Sequence, residues 1–160
     1  DYFLPVKADD YSVWVLKKND REVPGFYRID ANGKETLLTE RMIASDDGFI
    51  CKNGNLVYAA FEPDTRWGNH DYTRIVKVSL TTGKSTVLHY NKKWVSPDIS
   101  KNGKQLLVAE IQPHQASSIV QIDEDGKELF RLTMPGYQLS EPRFSGNEKQ
   151  CYATIRDQRG

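Results

Sequence analysis

The stretch IVKVSLTTGKSTVL, residues 75–88, decides the fold of this chain. It alternates apolar and polar residues, turns at a Gly-Lys pair and alternates again, a pattern typical of two antiparallel strands joined as a hairpin. The pattern recurs as FYRIDANGKETLLT at residues 26–39 and as IVQIDEDGKELFRL at residues 119–132. Glycine supplies the positive φ that such short turns need. The three turn glycines, 50 and 43 residues apart, are Gly33, Gly83 and Gly126.

A second hairpin pattern interleaves with the first. The stretch VSPDISKNGKQLLVA, residues 95–109, has the form of a strand, an Asn-Gly turn and a strand. Residues 45–59, SDDGFICKNGNLVYA, repeat it, and so do residues 140–153, SEPRFSGNEKQCYA, where Glu148 replaces the turn glycine. Each unit therefore predicts four strands within 43 to 50 residues, which is the period of a propeller blade.

The predicted fold is all-β: a partial β-propeller of about three four-stranded antiparallel blades. The predicted boundaries are an incomplete blade over residues 1–44, blades over 45–93 and 94–137, and an incomplete blade over 138–160. Closed propellers have four or more blades. We therefore expect the chain to be a fragment of a longer propeller, or one of several copies that complete a ring. Open sheet edges also predict self-association.

The unit at residues 95–109 resembles the WD40-like repeat of bacterial TolB-type propellers, in which Ser-Pro-Asp-Gly-Lys precedes an apolar strand. Here Lys101 and Asn102 stand where that repeat has Pro-Asp. Residues 64–75 are also similar to a segment of envelope proteins in which such a propeller adjoins other domains. The resemblance implies a propeller that binds proteins, or that belongs to a larger envelope protein or peptidase. It also implies a periplasmic or cell-surface location.

Composition narrows the classes of partner. Basic and acidic residues number 22 each, so no net charge favours nucleic acid. No apolar run is long enough for a membrane span, and the N-terminus lacks the features of a signal peptide. Cys51 and Cys151 fall at non-matching places in the repeats, which favours isolated thiols over a disulfide. The partner expected from the sequence is a protein or peptide.

The sequence carries no catalytic or cofactor motif. It has no Gly-x-Ser-x-Gly elbow, no His-Glu-x-x-His and no phosphate-binding glycine loop. The acidic run at residues 123–126 aligns with the other hairpin turns, so it is a turn and not a calcium loop. His70, Asp71 and His114 could ligate a metal, but nothing fixes them on a common element. We therefore expect no enzyme activity, no cofactor and no metal site.

The loop at residues 62–73 is the first place to look for a ligand, because long loops of a repeat scaffold often carry function. It offers aromatic anchors and charged contacts for a ligand, although the same residues suit a loop that packs on itself. The neighbouring connections contribute further polar and aromatic residues. The candidate ligand-binding residues are Glu62, Arg66, Trp67, His70, Asp71, Tyr72, Trp94 and His114.

Three functions remain open from the sequence. The first is a non-enzymatic domain that binds a protein or peptide, or serves as a scaffold, within a larger cell-envelope protein. The second is the non-catalytic propeller portion of a larger hydrolase of the peptidase type. The third is a carbohydrate-binding module that uses Trp67, Tyr72 and Trp94.

Overall fold

The computed structural model of the chain describes residues 1–8, 11–41, 44–64, 66, 71–112 and 117–157. All regular secondary structure in these residues is β-strand, and they include no helix that could span a membrane. The strands are β1 (Tyr2–Lys7), β2 (Val13–Lys17), β3 (Gly25–Ile29), β4 (Glu35–Glu40), β5 (Ala44–Lys52), β6 (Asn55–Pro63), β7 (Asp71–Ser79), β8 (Ser85–Ile99), β9 (Gln105–Ile111), β10 (Ser117–Asp123), β11 (Glu128–Thr133), β12 (Gln138–Phe144) and β13 (Cys151–Arg156).

The strands pair antiparallel in chain order. One sheet is β1-β2-β3-β4, a second runs through seven strands from β5 to β11, and a third is β12-β13. The long strand β8 belongs to two blades, because residues up to Lys92 pair with β7 and residues from Lys93 pair with β9. Blade 1 is therefore β1–β4, blade 2 is β5–β7 with the first half of β8, and blade 3 is the second half of β8 with β9–β11. Blade 4 is β12 and β13. The all-β class and the four-stranded blades are confirmed.

The strands differ from the sequence prediction at two places. The sequence pattern leaves the blade over residues 1–44 incomplete, whereas β1 gives its sheet a fourth strand. Pro5 at its centre and the lack of alternation hide this strand. The sequence also predicts separate hairpins at residues 75–88 and 95–109, whereas β8 runs without a break from the end of the first to the start of the second. No glycine or proline stands between them, so the sequence carries no turn signal where the chain passes from blade 2 to blade 3.

Alternating side chains build a core between each pair of successive blades. Leu56, Tyr58 and Val76 of blade 2 pack with Trp14 and Phe26 of blade 1. The opposite faces of the same two strands place Val57, Ala59 and Ile75 against blade 3. Since successive side chains of a strand point to opposite faces, each blade fills the core on both of its sides. Leu139 and its neighbours close a third core between blades 3 and 4.

The two ends of the blades differ. At one end, here called the turn face, short turns join β3 to β4, β5 to β6, β7 to β8 and β10 to β11. The turn glycines Gly33, Gly83 and Gly126 have φ values of 80°, 69° and 80°, as their spacing predicts. The opposite end, the loop face, holds the connections from β6 to β7 and from β9 to β10. The loop face is where the sequence predicts a ligand.

Candidate functional site

Part of the predicted ligand site lies at the loop-face end of the β6–β7 hairpin. Glu62 pairs across the ladder with Tyr72, and Pro63 pairs with Asp71. The Glu62 carboxylate forms an ion pair with Arg74, which raises the pKa of the Arg74 guanidinium mainly through that hydrogen bond. Tyr72 is half-buried and Asp71 is exposed. The hairpin thus brings Glu62, Asp71 and Tyr72 together.

Arg66 is exposed, and its backbone N–H donates to Asp64 Oδ1 at 2.7 Å. This bond turns the chain locally just beyond β6, as an aspartate two residues upstream commonly does. Trp67, His70 and His114 lie outside the described residues. Among the residues that are described, no group of three or more His, Cys, Asp or Glu side chains could hold a metal ion.

Trp94 lies in the core between blades 2 and 3 and not on the surface. Its side chain is 2% exposed, and its indole Nε1–H donates to Glu110 Oε2 at 2.8 Å. Its backbone N–H donates to the hydroxyl of Thr73 at 2.6 Å, which holds β8 against β7. A buried indole with a satisfied N–H is a packing element. Trp94 therefore does not share a surface with Glu62 and Tyr72.

The partner of Trp94, Glu110, belongs to a charged cluster that sequence reasoning missed. Arg131 donates from Nη1 to Glu110 Oε1 at 3.1 Å, and Lys92 Nζ lies 3.3 Å from Oε2. Burial raises the pKa of Glu110, but hydrogen bonds from Arg131, Trp94 and Gln112 outweigh that effect and lower it to about 2. Both oxygens of this carboxylate accept hydrogen bonds from neighbouring side chains, and the lowered pKa makes Glu110 a poor general acid or base. Its role is to tie β8, β9 and β11 together.

A repeated irregularity marks the inner strands of the blades. Leu4, Ser96 and Glu141 each have a φ of 51° and each immediately precedes a proline. Ladder pairing shifts at all three places, as it does in a β-bulge. Proline lacks the N–H that a ladder uses, so the strand accommodates it at a bulge. Pairing of β5 also shifts, between Ala44 and Phe49, although no proline stands there.

The bulges of blades 2, 3 and 4 line a shared cavity of about 190 Å³, here called the axial pocket. Arg143 lies beside it and donates from Nη1 to the carbonyl oxygens of Ser96, at 3.3 Å, and Pro142, at 2.8 Å. Glu141 is exposed and accepts from Thr154 Oγ1 at 3.1 Å. A guanidinium and a carboxylate therefore flank the pocket. Its lining residues are Gly48, Phe49, Ile50, Ser96, Pro97, Glu141 and Arg143.

Sequence reasoning did not identify the axial pocket. The signal was present in the Ser96-Pro97 and Glu141-Pro142 pairs, which occupy matching places in two repeats. Reading it requires knowing that these pairs lie on neighbouring inner strands, which is a tertiary relationship.

The two cysteines are free thiols. Cys51 packs at the core between blades 1 and 2, whereas Cys151 packs at the core between blades 3 and 4. Burial raises the pKa of the Cys51 thiol to about 12. The thiolate of Cys51 is thereby disfavoured, and the residue is unsuited to nucleophilic chemistry.

Comparison with solved structures identifies the architecture. The structure described as that of a putative TolB from Agrobacterium tumefaciens superposes with a TM-score of 0.65 at 16% sequence identity. The fold is that of a TolB-like propeller. The match covers 91% of this chain and 50% of the other, so this chain spans about half the length of its structural neighbour. No protein-family model and no curated protein sequence matches the chain.

Proposed function

We infer that this chain is part of a non-catalytic propeller that binds a protein or peptide, with one or two side chains of the partner entering the axial pocket. The observation that carries the proposal is the pocket itself, where three bulged inner strands meet beside Glu141 and Arg143. At about 190 Å³ it is smaller than the roughly 300–1,000 Å³ of typical small-molecule sites. That size suits a protruding side chain better than a whole substrate.

The surroundings of the pocket also favour a peptide. A bulge interrupts the ladder and leaves backbone groups without ladder partners, and these groups can hydrogen-bond to a peptide main chain. Arg143 and Glu141 offer complementary contacts to acidic and basic side chains. In this proposal the loop-face residues Glu62, Arg66 and Tyr72 extend the contact surface. The remaining candidates of the same loop, Trp67, His70 and Asp71, and His114 of the neighbouring connection belong to that surface in the proposal.

The proposal includes a periplasmic or cell-surface location within a larger envelope protein. It is supported by the resemblance of residues 95–109 to the TolB-type repeat. A peptidase-associated propeller remains the main alternative, and a catalytic domain in the same reading frame would favour it. The carbohydrate alternative is weakened because Trp94, one of its three aromatic anchors, is 2% exposed.

Selection of random short peptides on the immobilised chain tests the proposal. Glu141→Lys reverses the exposed charge beside the pocket and should weaken selected peptides about tenfold, which is 1.4 kcal/mol. Arg66→Ala and Tyr72→Ala should each weaken peptides that also reach the loop face. Glu40→Lys is the matched control, because it makes the same charge change at an exposed end of β4.

Three results would contradict the proposal. If no peptide is enriched, or if Glu141→Lys and Glu40→Lys bind the selected peptides equally well, the axial pocket is not the site. If the bound peptides are cleaved, as read by mass spectrometry, the chain is not a non-catalytic module. A glycan array in place of the peptide pool tests the carbohydrate alternative directly.

A further inference from the structure

A second site lies at the opposite end of the blades from the loop face. At the turn face, the core between blades 2 and 3 opens into a groove of about 380 Å³, here called the lysine groove. Leu88 and Leu106 form its apolar part, and the rest of its lining is polar or charged. Three lysines, Lys77, Lys84 and Lys104, line it together with one carboxylate, Glu124.

The charge of the groove is not neutralised within the fold. Three lysines outside it form ion pairs, Lys52 with Asp98, Lys17 with Glu35 and Lys92 with Glu110. None of the three groove lysines has a carboxylate within ion-pair distance among the residues that the structure describes. A cleft lined by one sign of charge concentrates its field and attracts the opposite ion.

The hydrogen-bond donors of the groove converge. Lys77 is half-buried and its Nζ donates to the carbonyl oxygen of Gly103 at 2.7 Å, which orients the ammonium and leaves two of its protons free. The Asn55 amide lies close by, since a Cβ built on Gly103 would be 3.4 Å from Asn55 Nδ2 and 3.9 Å from Lys77 Nζ. Asn55 Nδ2 donates to the Asn53 carbonyl oxygen at 2.8 Å, which orients the amide and leaves its second proton for a ligand. Such a cluster of donors suits a ligand that only accepts hydrogen bonds.

The hydroxyl groups of the β7–β8 turn supply further hydrogen-bond donors to the groove. Ser79 Oγ accepts from the Thr82 N–H at 3.2 Å, and Thr82 Oγ1 accepts from the Lys84 N–H at 3.3 Å. Because both oxygens act as acceptors toward the backbone, both hydroxyl protons remain available as donors. Both residues line the groove.

Comparison of the three repeats shows how blade 2 differs. In blades 1 and 3 the first residue of this turn is aspartate, Asp30 or Asp123, and its carboxylate accepts from the backbone of the turn. The equivalent residue in blade 2 is the neutral Ser79. Its backbone N–H donates to the carbonyl oxygen of Lys84, just as the backbone N–H of Asp30 donates to that of Lys34. Blade 2 therefore lacks the negative charge that the other two repeats carry at this position.

The position of Lys77 differs between repeats as well. Its equivalents are Arg28, whose Nε donates to Ser12 Oγ at 3.0 Å, and Gln121, whose amide donates to Gln105 at 2.9 Å. Both make these bonds within their own blade. Lys77 instead reaches across to blade 3 at Gly103. Among the three repeats, only blade 2 thus combines a neutral first turn residue, Ser79, with a cation, Lys77, that is directed at the next blade.

We propose that the lysine groove binds a small polyanion carrying a phosphate or sulfate group. Phosphate and sulfate oxygens are acceptors that match the converging ammonium, amide and hydroxyl donors. Glu124 at the groove favours a ligand that also carries a hydroxyl or amino group away from its anionic part. The lysine groove shares no lining residue with the axial pocket, so anion binding and peptide binding can be tested independently.

Calorimetric titration of the full chain with inorganic pyrophosphate tests the inference. Binding should saturate at one site and weaken as ionic strength rises from about 0.01 M to about 0.1 M, because the Debye length falls from about 30 Å to about 10 Å. Lys84→Gln should weaken binding about tenfold. Lys77→Gln should do the same while keeping a donor for Gly103. Lys34→Gln, at the equivalent place in blade 1, should leave binding unchanged.

The possible results distinguish a specific anion site from a net-charge effect, and a lipid headgroup from a soluble anion. Absence of saturable binding would overturn the inference, and so would equal losses for Lys84→Gln and Lys34→Gln, since these would reflect net charge alone. Co-sedimentation with phosphatidylglycerol–phosphatidylcholine vesicles then identifies the source. Vesicle binding that pyrophosphate displaces and Lys84→Gln removes assigns the site to a lipid headgroup. Pyrophosphate binding without vesicle binding assigns it to a soluble anion.

Discussion

Asp98 on the inner strand of blade 3 accepts hydrogen bonds from the Lys52 ammonium of blade 2 at 3.0 Å and 3.1 Å, although Asp98 is completely buried. The same carboxylate accepts from the backbone N–H of Phe144 in blade 4 at 2.8 Å. One side chain therefore joins the inner strands of three successive blades.

Replacement of Asp98 should destabilise the chain, because three donors from three blades depend on its carboxylate. Asp98→Ala leaves the Lys52 ammonium and the N–H groups of Ile99 and Phe144 without their acceptor. Breaking a buried pair by removing one partner costs about 3–5 kcal/mol. We expect a loss of about 3 kcal/mol in the free energy of unfolding, measured by urea titration. Lys52→Met should cost less, because Asp98 keeps its backbone donors, and equal stability of Asp98→Ala and the wild type would refute the role.

Stability should fall in acid because of Glu110. The pKa of Glu110 is about 2 in the folded chain, against an ordinary value of 4.5. The unfolded chain therefore binds this proton first as the pH falls, so the stabilisation present above about pH 4.5 is lost progressively down to about pH 2. The shift corresponds to at most about 3 kcal/mol. Glu110→Gln should flatten the dependence of the unfolding free energy on pH in this window. An unchanged slope in that variant would assign the acid loss to other carboxylates.

Glu148 occupies the turn position that Gly103 holds in the preceding repeat, and it has a φ of 56°. Non-glycine residues pay roughly 1–2 kcal/mol in this region, but the Glu148 carboxylate accepts a hydrogen bond from the Lys101 backbone N–H of blade 3. Glu148→Ala keeps the strain and loses the bond, so it should lower the melting temperature. Glu148→Gly relieves the strain and should therefore be more stable than Glu148→Ala. The reverse order of melting temperatures would show that the backbone is not strained there.

Cys51 should resist alkylation in the folded chain. Its pKa of about 12 leaves almost no thiolate at pH 8. In the Cys151→Ser variant, which isolates this thiol, iodoacetamide should label Cys51 slowly until denaturant is added. Rapid labelling at pH 8 without denaturant would mean that the core between blades 1 and 2 opens readily.

The repeats made most of the fold predictable. Short hairpins depend on local chemistry, namely a turn glycine between alternating strands, and that chemistry is visible in residues 26–39, 75–88 and 119–132. Strand β1 was not predicted because Pro5 breaks its alternation. The continuity of β8 was not predicted because a strand shared by two blades has no local signal in the sequence. The candidate site was only partly predictable. Glu62, Asp71 and Tyr72 are neighbours through one hairpin, whereas Trp94 is drawn into the core by Glu110.

The sequence by itself determined the class of fold, the blade period and the places of the turns, because each of these depends on residues a few positions apart. Only the tertiary structure decided the axial pocket, the Asp98 bridge and the lysine groove. Each of these joins residues from different blades. Lys52 and Asp98, for example, are 46 positions apart in the sequence. The distance between such residues depends on how the blades pack, and the alternation that specifies each strand carries no information about it.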